Sequence, residues 1–240
     1  MTVLSQPQSV GIAANGRVPP LENGDRLTRP EFERRYAAMP HVKKAELIEG
    51  VVYMPSPVSN EHAEPHFDLI TWLGFYRAAT PGVSGGDNGT LRLDLDNEPQ
   101  PDAFLRILAE HGGQARVDED GYVNGAPELA AEVARSSVSI DLHAKLHAYR
   151  RNGVREYIVW RVEDRIIDWF VLREGRYEPL APAADGLYRS EVLPGLWLDA
   201  AALLRSDLLA VFQTVQRGLD SPEHAAFVRR LQEAAAQGQS

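Results

Sequence analysis

Strand-like and helix-like apolar patterns do not alternate along this chain, and that order limits its fold more than any other feature. A helix-spaced set comes first, Phe32, Tyr36 and Met39, opened by Thr28, Pro30 and Glu31. A hydroxyl cap followed by an early proline and an acid marks a helix start. Two short strands over 45–54 follow, folded at Glu49-Gly50, an acid-Gly pair that supplies the positive φ of a tight hairpin turn. Next, Phe67, Ile70, Trp72, Leu73 and Tyr76 form a broad helical stripe, but Pro65 lies in the same stretch. Proline is tolerated only in a first turn, so the regular helix is expected to begin near Glu64.

Strands are expected where Leu91, Leu93 and Leu95 alternate with polar residues, at 102–108 behind Pro99 and Pro101, and at 128–134. The polar, glycine-rich stretch 109–125 reads as a long loop with room for a small hairpin. Ser139 opens a helix with Leu142, Leu146 and Tyr149 on one stripe, closed by Asn152-Gly153. Strands at 156–162 and 165–172, edge strands at 175–180 and 188–192, and helices over 198–217 and 223–235 complete the chain. The pattern predicts an α/β protein, a mixed sheet flanked by helices. It excludes a doubly wound dinucleotide fold, because no Gly-rich phosphate loop follows a strand.

The 240 residues suit one domain with extended ends. Residues 1–26 lack apolar periodicity and are expected to be a disordered lead-in, with the main domain at 27–204 and a helical extension at 205–240. The formal charge of -9 removes any general attraction for phosphate backbones or anionic membranes, so a nucleic-acid role needs a local basic surface. Without cysteine there is no disulfide, thiolate nucleophile or thiolate zinc site. No segment approaches the roughly 18 apolar residues of a membrane span, so no membrane partner and a cytoplasmic location are expected. A homodimer is compatible with everything in the sequence.

Four acids stand where apolar residues would be expected: Glu46 at the first hairpin, Asp102 at a strand mouth, and Glu128 and Glu132 in a short apolar strand. Each alone reads most simply as a solvated edge or a salt bridge. Together they differ, because carboxylates facing a core are costly unless paired or metal-bound. Pro101-Asp102 and Glu132 could bring together the two oxygen ligands that Mg2+ prefers, and a lysine would complete a phosphodiester site. Asp141 and Lys145, at i, i+4, read by themselves as a surface pair. His62 with His66, and His143 with His147, are also i, i+4 pairs, but neither carries the glutamate of a His-Glu-x-x-His site, and exposed helix histidines are common.

These residues resemble the PD-(D/E)XK nuclease motif, and the wider pattern is similar to the Uma-two family of endonucleases in the restriction-endonuclease-like superfamily. The matching pieces are Ala45 to Gly50, Ser56-Pro57 with His62, Gln100-Pro101-Asp102, Glu132-Val133, Asp141 with Lys145 and Tyr149, and Gly153 to Tyr157. They cover about residues 28 to 200. The resemblance implies a restriction-endonuclease-like fold and a Mg2+-dependent endonuclease acting on DNA, with Mn2+ as a substitute ion. Asp102 and Glu132 would be metal ligands, Lys145 and Glu46 catalytic, and His62, Asp141 and Tyr149 accessory. In the simplest form of the motif the lysine lies two residues after the acid, where this chain has Ala134; Lys145 on the following helix takes its place. The stretch after the acid is Ala134-Arg135-Ser136-Ser137 rather than the usual Leu-Ser-Pro-Ser. The alternative is a catalytically inactive nuclease fold serving as a nucleic-acid or protein binding module. An unbound acidic cluster repels itself, so replacing Asp102 by Asn or Lys145 by Met is expected to leave melting of the metal-free protein no lower.

Overall fold

The computed structural model describes residues 17–54 and 60–238. Helix α1 (Arg29–Ala37) leads to the hairpin β1 (Glu46–Ile48) and β2 (Val51–Tyr53), then to helix α2 (Asn60–Ala78). Strands β3 (Val83–Asp87), β4 (Leu91–Arg92) and β5 (Ala103–Ile107) follow, then a 3-10 turn at Ala109–His111 and the small strands β6 (Arg116–Val117) and β7 (Val123–Asn124). Strand β8 (Leu129–Ala134) enters a π-helical turn, Ile140–Lys145, that continues as α3 (Leu146–Asn152). Strands β9 (Glu156–Arg161), β10 (Ile166–Arg173), β11 (Arg176–Pro179), β12 (Tyr188–Arg189) and β13 (Trp197–Leu198) precede helices α4 (Ala200–Leu203), α5 (Leu208–Leu219) and α6 (Pro222–Gln237).

Among the described residues the main sheet has the order β11-β10-β9-β8-β5-β3. Strands β8 and β9 are parallel because α3 crosses between them, while the other pairs are antiparallel. This is the mixed sheet that the broken alternation predicts. Strand β8 is buried along its whole length because layers cover both faces. Leu129, Ala131 and Val133 face Trp72, Tyr76, Val211 and Phe227, the layer of α2, α5 and α6. Ala130 and Ala134 face Phe104, Tyr149 and Tyr157 on the side of α3. A third, smaller core of Leu21, Phe32, Leu47 and Val52 seats α1 on the hairpin.

The hairpin turns as expected, with Glu49 and Gly50 both at positive φ, 51° and 72°. Several expectations are corrected. Helix α2 starts at Asn60 rather than near Glu64, because Pro65 removes one hydrogen bond near the end where unpaired N–H groups are normal. The Leu91–Leu95 strand shrinks to Leu91–Arg92; the chain turns where Leu93 N–H donates to Asn97 O, and Leu95 is left exposed. The helix over 198–217 breaks into α4 and α5 at Ser206, φ 55°, and Asp207 caps the second piece by accepting from Ala210 N–H. The edge strand at 188–192 keeps only Tyr188–Arg189, because the next residues are drawn onto a buried carboxylate, Glu156.

Residues 17–26, expected within a disordered lead-in, lie along the hairpin: Gly24 N–H donates to Val52 O, Val52 N–H to Asp25 O, and Leu21 is buried. Residues 1–16, and the Ser56-Pro57 piece of the family pattern, lie outside the described residues. The C-terminal helices, read as an extension, supply Val211, Val215, Phe227 and Leu231 to the larger core. No helix among the described residues is long and apolar enough to cross a membrane.

Candidate active site

The register of β5 on β8 builds the first half of the site. Ala103 pairs with Ala131 and Phe104 with Ala130, so one further step sets Asp102 across from Glu132. Both side chains then fall on the α3 face of the sheet, with Phe104 and Ala130. The pairing is reinforced by Val133, whose N–H donates to Asp102 Oδ2 at 2.8 Å. Glu128 shares the face of Glu132 but sits before the first residue of β8, where its Oε2 accepts the Ile107 N–H at 2.7 Å. This candidate from the sequence is a structural tie and lies outside the cleft-lining set.

The second half comes from the π-helical turn and the hairpin. The turn carries Asp141 and Lys145 into the interior, so the surface pair suggested by their spacing is a buried one, 3.6 Å apart. Lys145 Nζ also lies 2.9 Å from Glu132 Oε1 and 3.1 Å from Glu46 Oε1. Tyr149, one turn on, donates its hydroxyl to the same Glu132 oxygen at 2.9 Å. Glu46 is fixed from the other side: its Oε1 accepts the N–H of Gln100 at 2.7 Å, which ties the hairpin to the segment leading into Asp102. Ser137 donates to Asp141 Oδ2 at 2.5 Å, and the Tyr157 hydroxyl holds the Asp141 carbonyl at 3.0 Å. Four acids and one ammonium thus meet from four segments of chain, along a cleft of about 920 Å³.

Their electrostatics follow from burial and from charge imbalance. Burial pushes Glu132 up to about 8, more than Lys145 can offset, and Asp141, Asp102 and Glu46 push the same way. Asp141 also rises through burial, against the pull of Lys145 and Ser137. Burial opposes charge on Lys145, but Glu132, Glu46, Asp141 and Asp102 outweigh it and raise the ammonium well above its ordinary range. Asp102 goes the other way. Burial would raise it, yet Lys44, Lys145, the Val133 N–H and His62 together hold it below the usual carboxylate value. The cluster therefore has an ionised aspartate beside a glutamate that retains its proton, an arrangement short of positive charge.

The donor set fits a hard divalent cation. It offers carboxylate oxygens without soft ligands, and Asp141 Oδ1 is buried with no hydrogen-bond partner. Among the described residues, no three His, Asp or Glu side chains already stand together as a metal-ligating group.

His62, the accessory candidate, lies on α2 with Nε2 at 3.7 Å from Asp102 Oδ2, and burial lowers its pKa. His66 was missed as a site residue: its Nε2 lies 2.9 Å from the Asp102 carbonyl and 3.1 Å from Asp87 Oδ1. Lys44 was missed too, with Nζ at 3.6 Å from Asp102 Oδ1 and 2.8 Å from Asn88 Oδ1. Its one sequence signal was alternation, since Lys44 and Glu46 fall on the same side of an extended chain. His143 and His147 are exposed, away from the cleft.

Residues 29–201 match the model of a family described as "Putative restriction endonuclease". No curated protein matches the chain. Among solved structures, one described as "a putative nuclease belonging to DUF820" from Anabaena variabilis matches with a TM-score of 0.52 at 11% identity. The match covers 76% of this chain and 97% of that one. At that identity the likeness is one of fold, and it agrees with the restriction-endonuclease-like architecture expected from the sequence.

Proposed function

From the premise that this chain belongs to the Uma2 family, we propose that it is a metal-dependent endonuclease hydrolysing DNA phosphodiester bonds. The observation that carries this reading is the convergence of Asp102, Glu132 and Lys145, from the residue ahead of β5, from β8 and from the π-helical turn, on one cleft. Asp102 and Glu132 would hold Mg2+, with Mn2+ as a substitute. When bound, such an ion polarises a phosphoryl oxygen and makes a bound water more acidic. Lys145 orients the attacking water and stabilises negative charge on the scissile phosphate. Glu46, on the far side of the ammonium, keeps that head group aimed into the cleft, and Tyr149 fixes the rotamer of Glu132. Water oxygen attacks phosphorus in line and gives up one proton to solvent, the opposite P–O ester bond breaks, and the leaving oxygen takes a proton from solvent.

A second reading is a nuclease fold that binds without cutting. It is favoured by Glu132 Oε1, which already accepts from both Lys145 and Tyr149, and by the net charge of -9. Supercoiled plasmid and linear DNA incubated with the wild type and Mg2+ or Mn2+ separate the two. Metal-dependent cleavage that is lost in Glu132→Gln supports the nuclease. No cleavage, together with no thermal stabilisation by either ion, supports the binding module.

A further inference from the structure

We propose that Lys44 is the phosphate grip of the cleft, the side chain that takes a backbone phosphate of DNA entering toward Asp102; this rests on the nuclease reading. Acids line the cleft and Asp102 among them stays ionised, which disfavours a phosphodiester, so its approach needs a cation at the rim. Lys145 is not at the rim: it is buried on the cleft floor, held by Glu132, Glu46 and Asp141. Arg135, also on the cleft wall, is paired with Glu61 and Glu163. Two lysines of the wall remain: Lys43 is exposed with no bond among the described residues that aims it, whereas Lys44 makes its hydrogen bond to a neutral group, Asn88 Oδ1, and its ion pair is with Asp102 itself, the carboxylate a metal ion would take from it.

That bond also aims it. Asn88 follows β3 at φ 50°, and its amide holds the ammonium 3.6 Å from Asp102 Oδ1, beside the proposed metal-binding carboxylate. Lys44 therefore does two things at one place: it neutralises Asp102 in the metal-free protein and offers a pre-aimed positive charge to a phosphate. A divalent cation on Asp102 would compete with the first role and leave the ammonium to the second.

These roles give opposite signs in one variant. Binding of a fluorescein-labelled DNA duplex is measured by anisotropy against salt, with Ca2+ present, and Mg2+ affinity is measured by calorimetry on the DNA-free protein. Lys44→Met is expected to weaken DNA binding about 10-fold at low salt and to reduce the slope of log affinity against log salt by about 1. The same variant should bind Mg2+ at least about 2-fold more tightly, since a competing charge has gone from Asp102. Lys44→Arg should keep the wild-type slope. Asn88→Gly, which suits the positive φ and removes the aiming bond together with a bond to Asp87, should weaken DNA binding with the slope unchanged. An unchanged slope in Lys44→Met, or a fall in its Mg2+ affinity, overturns the proposal. Should Lys44→Met fail to fold, wild-type DNA affinity in Asn88→Gly does so. Wild type that cleaves DNA while Lys44→Met keeps the full slope removes this inference alone; wild type that neither binds nor cleaves DNA removes it together with the nuclease reading.

Discussion

Asp102 and Val133 are joined by a hydrogen bond from the N–H of one to the carboxylate of the other, 2.8 Å long, so a candidate metal ligand also closes the strand pair that presents Glu132. An amide oxygen can accept the same bond. Asp102→Asn should therefore fold, losing the charged character of that bond and the attraction of Lys44 and Lys145, about 1–3 kcal/mol, rather than melting no lower as the sequence suggests. Its thermal stabilisation by Mg2+ should vanish, and DNA cleavage should fall at least about 100-fold. Differential scanning fluorimetry with and without Mg2+, beside a plasmid assay, reads all three. A variant that still gains stability from Mg2+ places the ion elsewhere.

Lys145→Met should behave differently. Removing the ammonium leaves Glu132, Glu46 and Asp141 buried without their shared cation, and breaking a buried ion pair in this way costs about 3–5 kcal/mol. This reverses the expectation, drawn from sequence, that the variant melts no lower. The loss should shrink at acidic pH, where the carboxyls take up protons. Urea unfolding at pH 5 and pH 8 measures it, and equal losses at the two values would count against the charge argument.

The raised pKa of Glu132 sets a pH dependence for the metal-free wild type. Its ordinary value is 4.5 and its folded value about 8, so between them the folded state holds a proton that the unfolded state has released. Stability is therefore highest at the acid end of that window and falls as pH rises toward about 8. Glu156, pushed up to about 7 by burial, adds to the same slope. Because a metal ion must displace the proton from Glu132, the gain in melting temperature on adding Mg2+ should grow from pH 6 to about pH 8.5. A gain independent of pH would remove Glu132 from the ligand set.

Glu156 carries the clearest prediction outside the cleft. Fully buried, it accepts from Ser190 Oγ at 2.7 Å, the N–H groups of Glu191 at 2.7 Å and Val192 at 3.2 Å, and Trp169 Nε1 at 3.2 Å. Glu156→Ala strands these donors and should cost about 2–4 kcal/mol by urea unfolding. The loss should appear with and without Mg2+ alike, since the partners of this carboxylate, Ser190, Glu191, Val192 and Trp169, are none of the proposed metal ligands.

The order of apolar periods along the chain was enough to determine a mixed sheet with helices on both faces, the Glu49-Gly50 hairpin and the strands around Asp102 and Glu132, because these depend on neighbours within a few residues. The resemblance carried by Asp102, Glu132 and Lys145 likewise named three residues that the structure brings to one cleft. Spacing alone could not show that Asp141 and Lys145 turn inward, since an i, i+4 pair looks the same on a solvated helix as in a buried π-helical turn. Nor could it place Lys44 and His66 beside Asp102, because their contacts cross from the segment ahead of the hairpin and from α2 to the residue ahead of β5. The lead-in at 17–26 and the end of the 188–192 strand depended on partners as remote as Val52 and Glu156. What only the tertiary structure decided was which charges meet, because register and burial, rather than sequence distance, set the strength of an electrostatic contact.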